Sequence, residues 1–92
     1  MKIVKAKDGK HKLKATFQND DREYSVKFGA IGYSDFTIHK DEERKQRYLQ
    51  RHSGMGEHWN KPDTAGALAR WVLWNKPTLK ASIEDYKQRF NL

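Results

Sequence analysis

The run Thr64-Ala-Gly-Ala-Leu-Ala-Arg-Trp-Val-Leu-Trp-Asn75 constrains the fold most, because Arg70 is its only charge in a chain that is 34% Asp, Glu, Lys and Arg. On a helix, Ala65, Leu68, Ala69 and Val72 fall at i, i+3, i+4 and i+7, while Trp71, Leu73 and Trp74 carry apolar surface around much of the remaining circumference. A helix apolar on so many sides needs cover from other elements, so it is expected to be central. Asp63 or Thr64 supplies the N-cap oxygen, and Asn75-Lys-Pro77 stops the helix, since proline lacks the N–H and restricts the residue before it. The spacing predicts a helix over 64–75.

The rest of the chain must be built around that helix with few aliphatic residues. At 92 residues, a single domain spanning 1–92 is expected, able to bury roughly 60–65% of the surface of its unfolded form. Only 36% of residues are apolar, so the three Trp, four Tyr and four Phe carry much of the burial. With no cysteine there are no disulfides and no thiolate metal sites. Nowhere do 18 apolar residues run together, and Met1-Lys-Ile-Val-Lys-Ala-Lys7 lacks the apolar stretch of an export signal, so no membrane span and no secretion are expected.

The first half alternates with a period of two. Lys2–Lys7 is a short strand candidate, and Asp8-Gly9 signals a two-residue hairpin turn. His11, Leu13, Ala15 and Phe17 then alternate with Lys10, Lys12, Lys14 and Thr16, and after a turn at Asn19–Arg22, Tyr24, Val26 and Phe28 alternate with Ser25 and Lys27. One sheet face is apolar and the other is a lysine ladder. Gly29 and Gly32 mark a turn, and the alternation of Phe36 and Ile38 with Thr37 and His39 predicts a fourth short strand.

From Asp41 the period becomes helical. Acid opens the segment at Asp41–Glu43, base closes it at Arg51 and His52, and only Tyr48 and Leu49 are strongly apolar, which predicts a peripheral helix over 41–52. Ser53–Pro62 reads as a loop around Trp59. After the apolar helix, Thr78 caps a last helix over 78–91, with Leu79, Ile83, Tyr86 and Phe90 as its packing stripe. The fold class is therefore α+β: a three- to four-stranded antiparallel sheet over about 2–39, with three helices packed on one face.

Charge gives the functional lead. The 19 Lys and Arg against 12 Asp and Glu leave a net +7, and residues 1–14 hold six Lys against one Asp. The bland account is solubility; the sharper one is a polyanionic partner, nucleic acid first among nucleic acid, anionic membrane and acidic protein. Lys10, Lys12, Lys14 and Lys27 would project from one sheet face at spacings of about 5–7 Å, and Arg44, Arg47 and Arg51 form a basic edge along the 41–52 helix. Lysine dominates, so contact with phosphates rather than base edges is expected, with duplex DNA ahead of RNA. Trp59 and Trp74, if exposed, are candidate aromatic contacts for a protein partner instead, whereas buried tryptophans beside a continuous positive patch would favour nucleic acid.

Catalytic chemistry finds little in the sequence. His52 and His58 stand six apart without a second ligand pair, no nucleophile elbow surrounds a serine, and the glycines at 29 and 32 lack the Gly-Lys-Ser/Thr of a phosphate loop, so no metal, no cofactor and no enzyme are expected. The enzymatic alternative is a small Mg²⁺-dependent nuclease using Asp35 with Glu42 or Glu43.

Two blocks, Val26–Tyr48 and Thr64–Tyr86, carry a distinctive order of aromatics and glycines. In them the chain resembles small, functionally uncharacterised proteins encoded by large DNA viruses of algae and amoebae and by related environmental sequences, over roughly residues 24–91. The resemblance implies a viral protein located in a virion or inside the host cell, in cytoplasm or nucleus, and it brings no functional residue. The expected function is a basic nucleic-acid-binding protein; the alternative is a non-enzymatic structural or protein-interaction component, such as a minor virion or assembly protein that contacts other virion proteins.

Overall fold

The computed structural model describes residues 1–56 and 58–92. Among them, strands β1 (Lys2–Lys5), β2 (His11–Asn19) and β3 (Arg22–Ala30) form one antiparallel sheet in the order β1-β2-β3. The register pairs Ile3 with Ala15 and Ala15 with Val26, and Leu13 with Phe28 and Phe17 with Tyr24, so the expected apolar positions share one face. Ala15, Phe17 and Phe28 are buried there. On the other face Val4, Lys14 and Lys27 stand in one cross-strand row. Asp20 makes the tight β2–β3 turn with a left-handed φ of 56°, which Asp tolerates better than most residues.

The β1–β2 connection is longer than the two-residue turn expected at Asp8-Gly9. Asp8 accepts hydrogen bonds from the backbone N–H of Lys10 (3.0 Å) and of His11 (2.9 Å), and its second oxygen lies 2.7 Å from His11 Nδ1. An aspartate that binds nearby backbone donors offers an alternative to the ladder, and here it holds residues 6–10 as an open loop.

The expected fourth strand at 35–39 is a helix instead, α1 (Phe36–His39). Asp35 accepts from the Thr37 N–H at 2.9 Å and from the Thr37 hydroxyl, so it acts as an N-cap. Phe36 is buried while Ile38 is 60% exposed, which shows that their alternation did not mark a shared face. Lys40, at φ 54°, ends α1, and Asp41 at once caps α2 (Glu42–Ser53) through the N–H groups of Glu43 and Arg44.

The apolar run behaves as a central element, but not as one regular helix. A single α turn, α3 (Ala65–Leu68), capped by Thr64, passes into a π-helical segment at Ala69–Leu73, in which the Trp74 N–H donates to the Ala69 carbonyl at 3.1 Å. The bulky residues of this turn leave in different directions. Trp71 Nε1 donates to the Trp59 carbonyl (2.9 Å), Arg70 reaches forward to the Trp74 carbonyl (2.9 Å), and Trp74 stacks on Tyr48 of α2. Such a widened turn allows this divergence where a uniform helix would crowd the side chains. Ala67, Leu68, Val72 and Leu73 are buried against β3 and against α4 (Leu79–Arg89), which Thr78 caps. The stripe of α4 starts later than expected: Leu79 is 37% exposed, while Ser82 and Tyr86 are fully buried. Ser82 is tolerated in the core because its hydroxyl accepts from the Lys76 N–H and donates to the Lys76 carbonyl.

Gly29 fixes how closely the π-helical segment meets the sheet. At φ 76° it occupies a region closed to most side chains, and a Cβ there would lie 2.8 Å from Leu73 Cδ1 and 3.4 Å from the Lys12 stem.

Tyr86 donates its hydroxyl to the Pro62 carbonyl at 2.7 Å. Burial, and then the charges of Asp63 and Tyr24, push this phenol above the value near 10 of a free tyrosine. The raised folded value means that its contribution to stability is fully present below about pH 10 and is lost as pH rises beyond that. Tyr86→Phe, which leaves the Pro62 carbonyl without its donor, should cost about 1–2 kcal/mol at neutral pH. It should also flatten the alkaline loss of stability when denaturant unfolding is followed from about pH 9 to 11; an unchanged alkaline slope would assign that loss to other groups.

Candidate nucleic-acid interface

The positive residues divide into two surfaces. The first lies over β1, β2, β3 and the 6–10 loop, where Val4, Lys5, Lys7, Asp8, Lys14 and Lys27 line an open depression of about 630 Å³. Lys27 Nζ is 3.6 Å from Asp8 Oδ2, so one carboxylate faces both His11 and Lys27. The His11 side chain, followed by the N–H groups of His11 and Lys10, holds the Asp8 carboxyl below the usual carboxylate range. Among the described residues, Lys5, Lys7 and Lys14 have no ion-pair partner. Lys10 is exposed on the loop rather than on the strand.

Lys12 has the ladder's parity and a different occupation. Its ammonium sits 2.6 Å from Asp35 Oδ2, with the carboxylate 2% and the lysine side chain 19% exposed. It is thus largely withdrawn from the row formed by Lys14 and Lys27.

The second surface belongs to α2. Arg44, Arg47 and Arg51 are exposed along one edge and border, with Tyr48 and Trp74, a groove of about 340 Å³. Arg47 has a loose pairing with Glu43 at 3.8 Å, whereas Arg44 and Arg51 have no carboxylate partner among the described residues. Both also line a neighbouring cleft of about 430 Å³ that reaches Lys12, Asp35, Tyr33, His52 and Trp74. Beneath the arginines four rings stand in a column. His39 and Trp74 have centroids 5.3 Å apart, Trp74 and Tyr48 lie 4.2 Å apart and nearly parallel at 3°, and Tyr48 and His52 lie 4.2 Å apart. Lys45 adds a bond from α2 to the Asn75 carbonyl at 2.8 Å.

The aromatic candidates are placed differently from one another. Trp74 is half-buried inside the column. Trp59 is half-buried beside Trp71, in a separate apolar pocket completed by Asn60, Arg89 and Phe90, with the Arg70 guanidinium 5.5 Å from its ring centroid. Burial, and then the charge of Arg89, lowers the Arg70 guanidinium from its usual value. The most exposed aromatic is Tyr33, at 74%, within the segment whose glycines mark a turn in the sequence. Lys5 and Lys7 also line the first surface, and their place in the basic N-terminal cluster is their signal in the sequence.

The carboxylates considered for a nuclease each have another partner. Asp35 is bound to Lys12 and to the start of α1, Glu42 accepts from Gln46 Nε2 at 2.9 Å, and Glu43 faces Arg47. Among the described residues no three of His, Asp and Glu gather as a metal-ion site, and no helix is long and apolar enough to cross a membrane.

Fold and surface define a small basic α+β domain with an open N-terminal sheet. The chain belongs to the family of unknown function DUF5754, which it matches over residues 1–52, the segment that contains the sheet, α1 and nearly all of α2. No curated protein and no solved structure matches it.

Proposed function

We propose that the protein binds nucleic acid through phosphate contacts, largely without sequence specificity, and that it is a viral protein acting on a genome. The observation that carries the reading is the α2 edge: three exposed arginines at i, i+3 and i+7, two of them without a carboxylate partner among the described residues, beside a cleft that an exposed aromatic also lines. Arginine forks suit phosphate oxygens, and a helix rise of 1.5 Å per residue spreads the three over about 10 Å of backbone. The lysines at 5, 7, 14 and 27 extend the positive field.

Binding of a fluorescent 20–30 base-pair duplex, titrated from about 50 to 200 mM salt, tests this. Each phosphate contact contributes about −0.9 to the slope of log K against log salt, so a slope near −4 is expected, and Arg44→Glu/Arg47→Glu/Arg51→Glu should flatten it by about 2–3. No binding at about 50 mM salt overturns the reading. A second reading, a protein-contact component, has one observation behind it: Ile31 (53%), Tyr33 (74%) and Ile38 (60%) are exposed near one another in sequence. A concentration-dependent rise in sedimentation coefficient without nucleic-acid binding would favour it.

A further inference from the structure

The 430 Å³ cleft differs from a flat phosphate-binding surface, and its lining narrows what fits. Its volume falls within the about 300–1,000 Å³ range of small-ligand sites. Its one carboxylate, Asp35, is already bound by Lys12 at the floor, so the charge left for a ligand is that of Arg44 and Arg51 at the rim. Its other rim residue, Tyr33, is 74% exposed and makes no ring–ring contact among the described residues. Tyr48, by contrast, stacks between Trp74 and His52. Tyr33 and two guanidinium groups that have no carboxylate partner among the described residues therefore border one opening.

We propose that this cleft holds one unpaired nucleotide of a single strand, its base stacked on Tyr33 and its phosphate between Arg44 and Arg51. The inference rests on the phosphate-binding reading of α2 and adds the form of nucleic acid preferred. Every base has a π-face, so stacking on tyrosine requires no sequence preference, and a guanidinium can lie on the base or fork to its phosphate. A duplex cannot place a base there without unpairing it, which costs a few kcal/mol. The remaining lysine row then meets adjoining phosphates of either form.

The test compares three probes of about 12 nucleotides, within the range one small domain contacts: a thymidylate strand, an abasic strand of the same length and a duplex. The thymidylate strand should bind at least about tenfold more tightly than the other two, as one stacked base supplies. Tyr33→Ala, at an exposed position that the fold does not need, should remove that advantage and leave the abasic strand and duplex unchanged; Tyr33→Phe should retain it. Equal affinity for thymidylate and abasic strands, or an unchanged preference in Tyr33→Ala, overturns the nucleotide cleft while phosphate binding stands. Failure of all three probes to bind at low salt overturns both.

Discussion

Lys12→Met should cost about 3 kcal/mol of stability, whereas Lys14→Met, two residues along the same strand, should change it by less than about 0.5 kcal/mol or raise it slightly. The contrast follows from what each ammonium faces. Asp35 is 2% exposed and holds Lys12 at 2.6 Å; removing the lysine leaves one oxygen of a buried carboxylate without its counter-charge. Breaking a buried pair in this way typically costs about 3–5 kcal/mol, and the lower end applies because Lys12 retains 19% exposure through which water can reach the vacancy. Lys14 instead stands directly across from Lys27, and like charges opposed on neighbouring strands repel, so its loss removes a small penalty. Urea unfolding of the two variants, with Lys12→Met/Asp35→Asn to close a double-mutant cycle, measures the difference. Non-additivity of at least about 1 kcal/mol in the cycle is expected. Equal, small effects at both positions would return Lys12 to the surface row. The distinction matters for binding, because a charge reversal at Lys12 would unfold the chain before it tested any phosphate contact.

The pairing of Lys12 with Asp35 was out of reach of the sequence, and the reason is general. Period-two patterning assigns side chains to faces, and it did so correctly for Leu13, Ala15, Phe17, Tyr24, Val26 and Phe28, because burial of one sheet face rewards that spacing wherever the partner strand lies. It cannot identify a partner 23 residues away in a different element. The same limit produced the misplaced strand at 35–39. Phe36 and Ile38 alternate as a strand would, but one Asp–Thr cap commits the backbone to a helical turn, and local side-chain bonds outweigh alternation over so few residues. The apolar run at 64–75 was legible as a central element from its lack of charge. Its π-helical turn was not, since that depends on where Trp59 and Tyr48 receive the two tryptophans. Of the candidate interface, the arginine spacing on α2 was legible because helix geometry alone fixes it; the cleft beside it requires the β3 end, the loop with Tyr33 and the π-helical segment to converge.

Trp74→Ala should cost about 3–5 kcal/mol, lowering Tm by at least about 12 °C in a chain of this size, and the loss should be felt first in α2. Trp74 is the second ring in a column that runs from His39 through Tyr48 to His52, and its near-parallel contact with Tyr48 at 4.2 Å joins α2 to the π-helical segment. Tyr48 is the one buried residue of α2, supported by the Lys45 bond to the Asn75 carbonyl and by the Lys45 ammonium 4.9 Å from the Phe36 ring centroid. Without the indole, a cavity opens beneath Tyr48 and the helix keeps mainly polar anchors, so amide exchange in residues 44–52 should quicken more than in β2 or α4. Trp74→Phe, which preserves a ring for stacking, should recover most of the stability and the slow exchange. The alternative expectation for this residue, direct contact with a ligand, makes the opposite demand. A Trp74→Ala protein of unchanged stability and unchanged α2 exchange, yet with weakened nucleic-acid binding, would make Trp74 a contact residue and leave the attachment of α2 to Lys45 and Tyr48. A protein that loses α2 protection and arginine-dependent binding together, with both restored by Trp74→Phe, would show that the column's task is to hold Arg44, Arg47 and Arg51 in place.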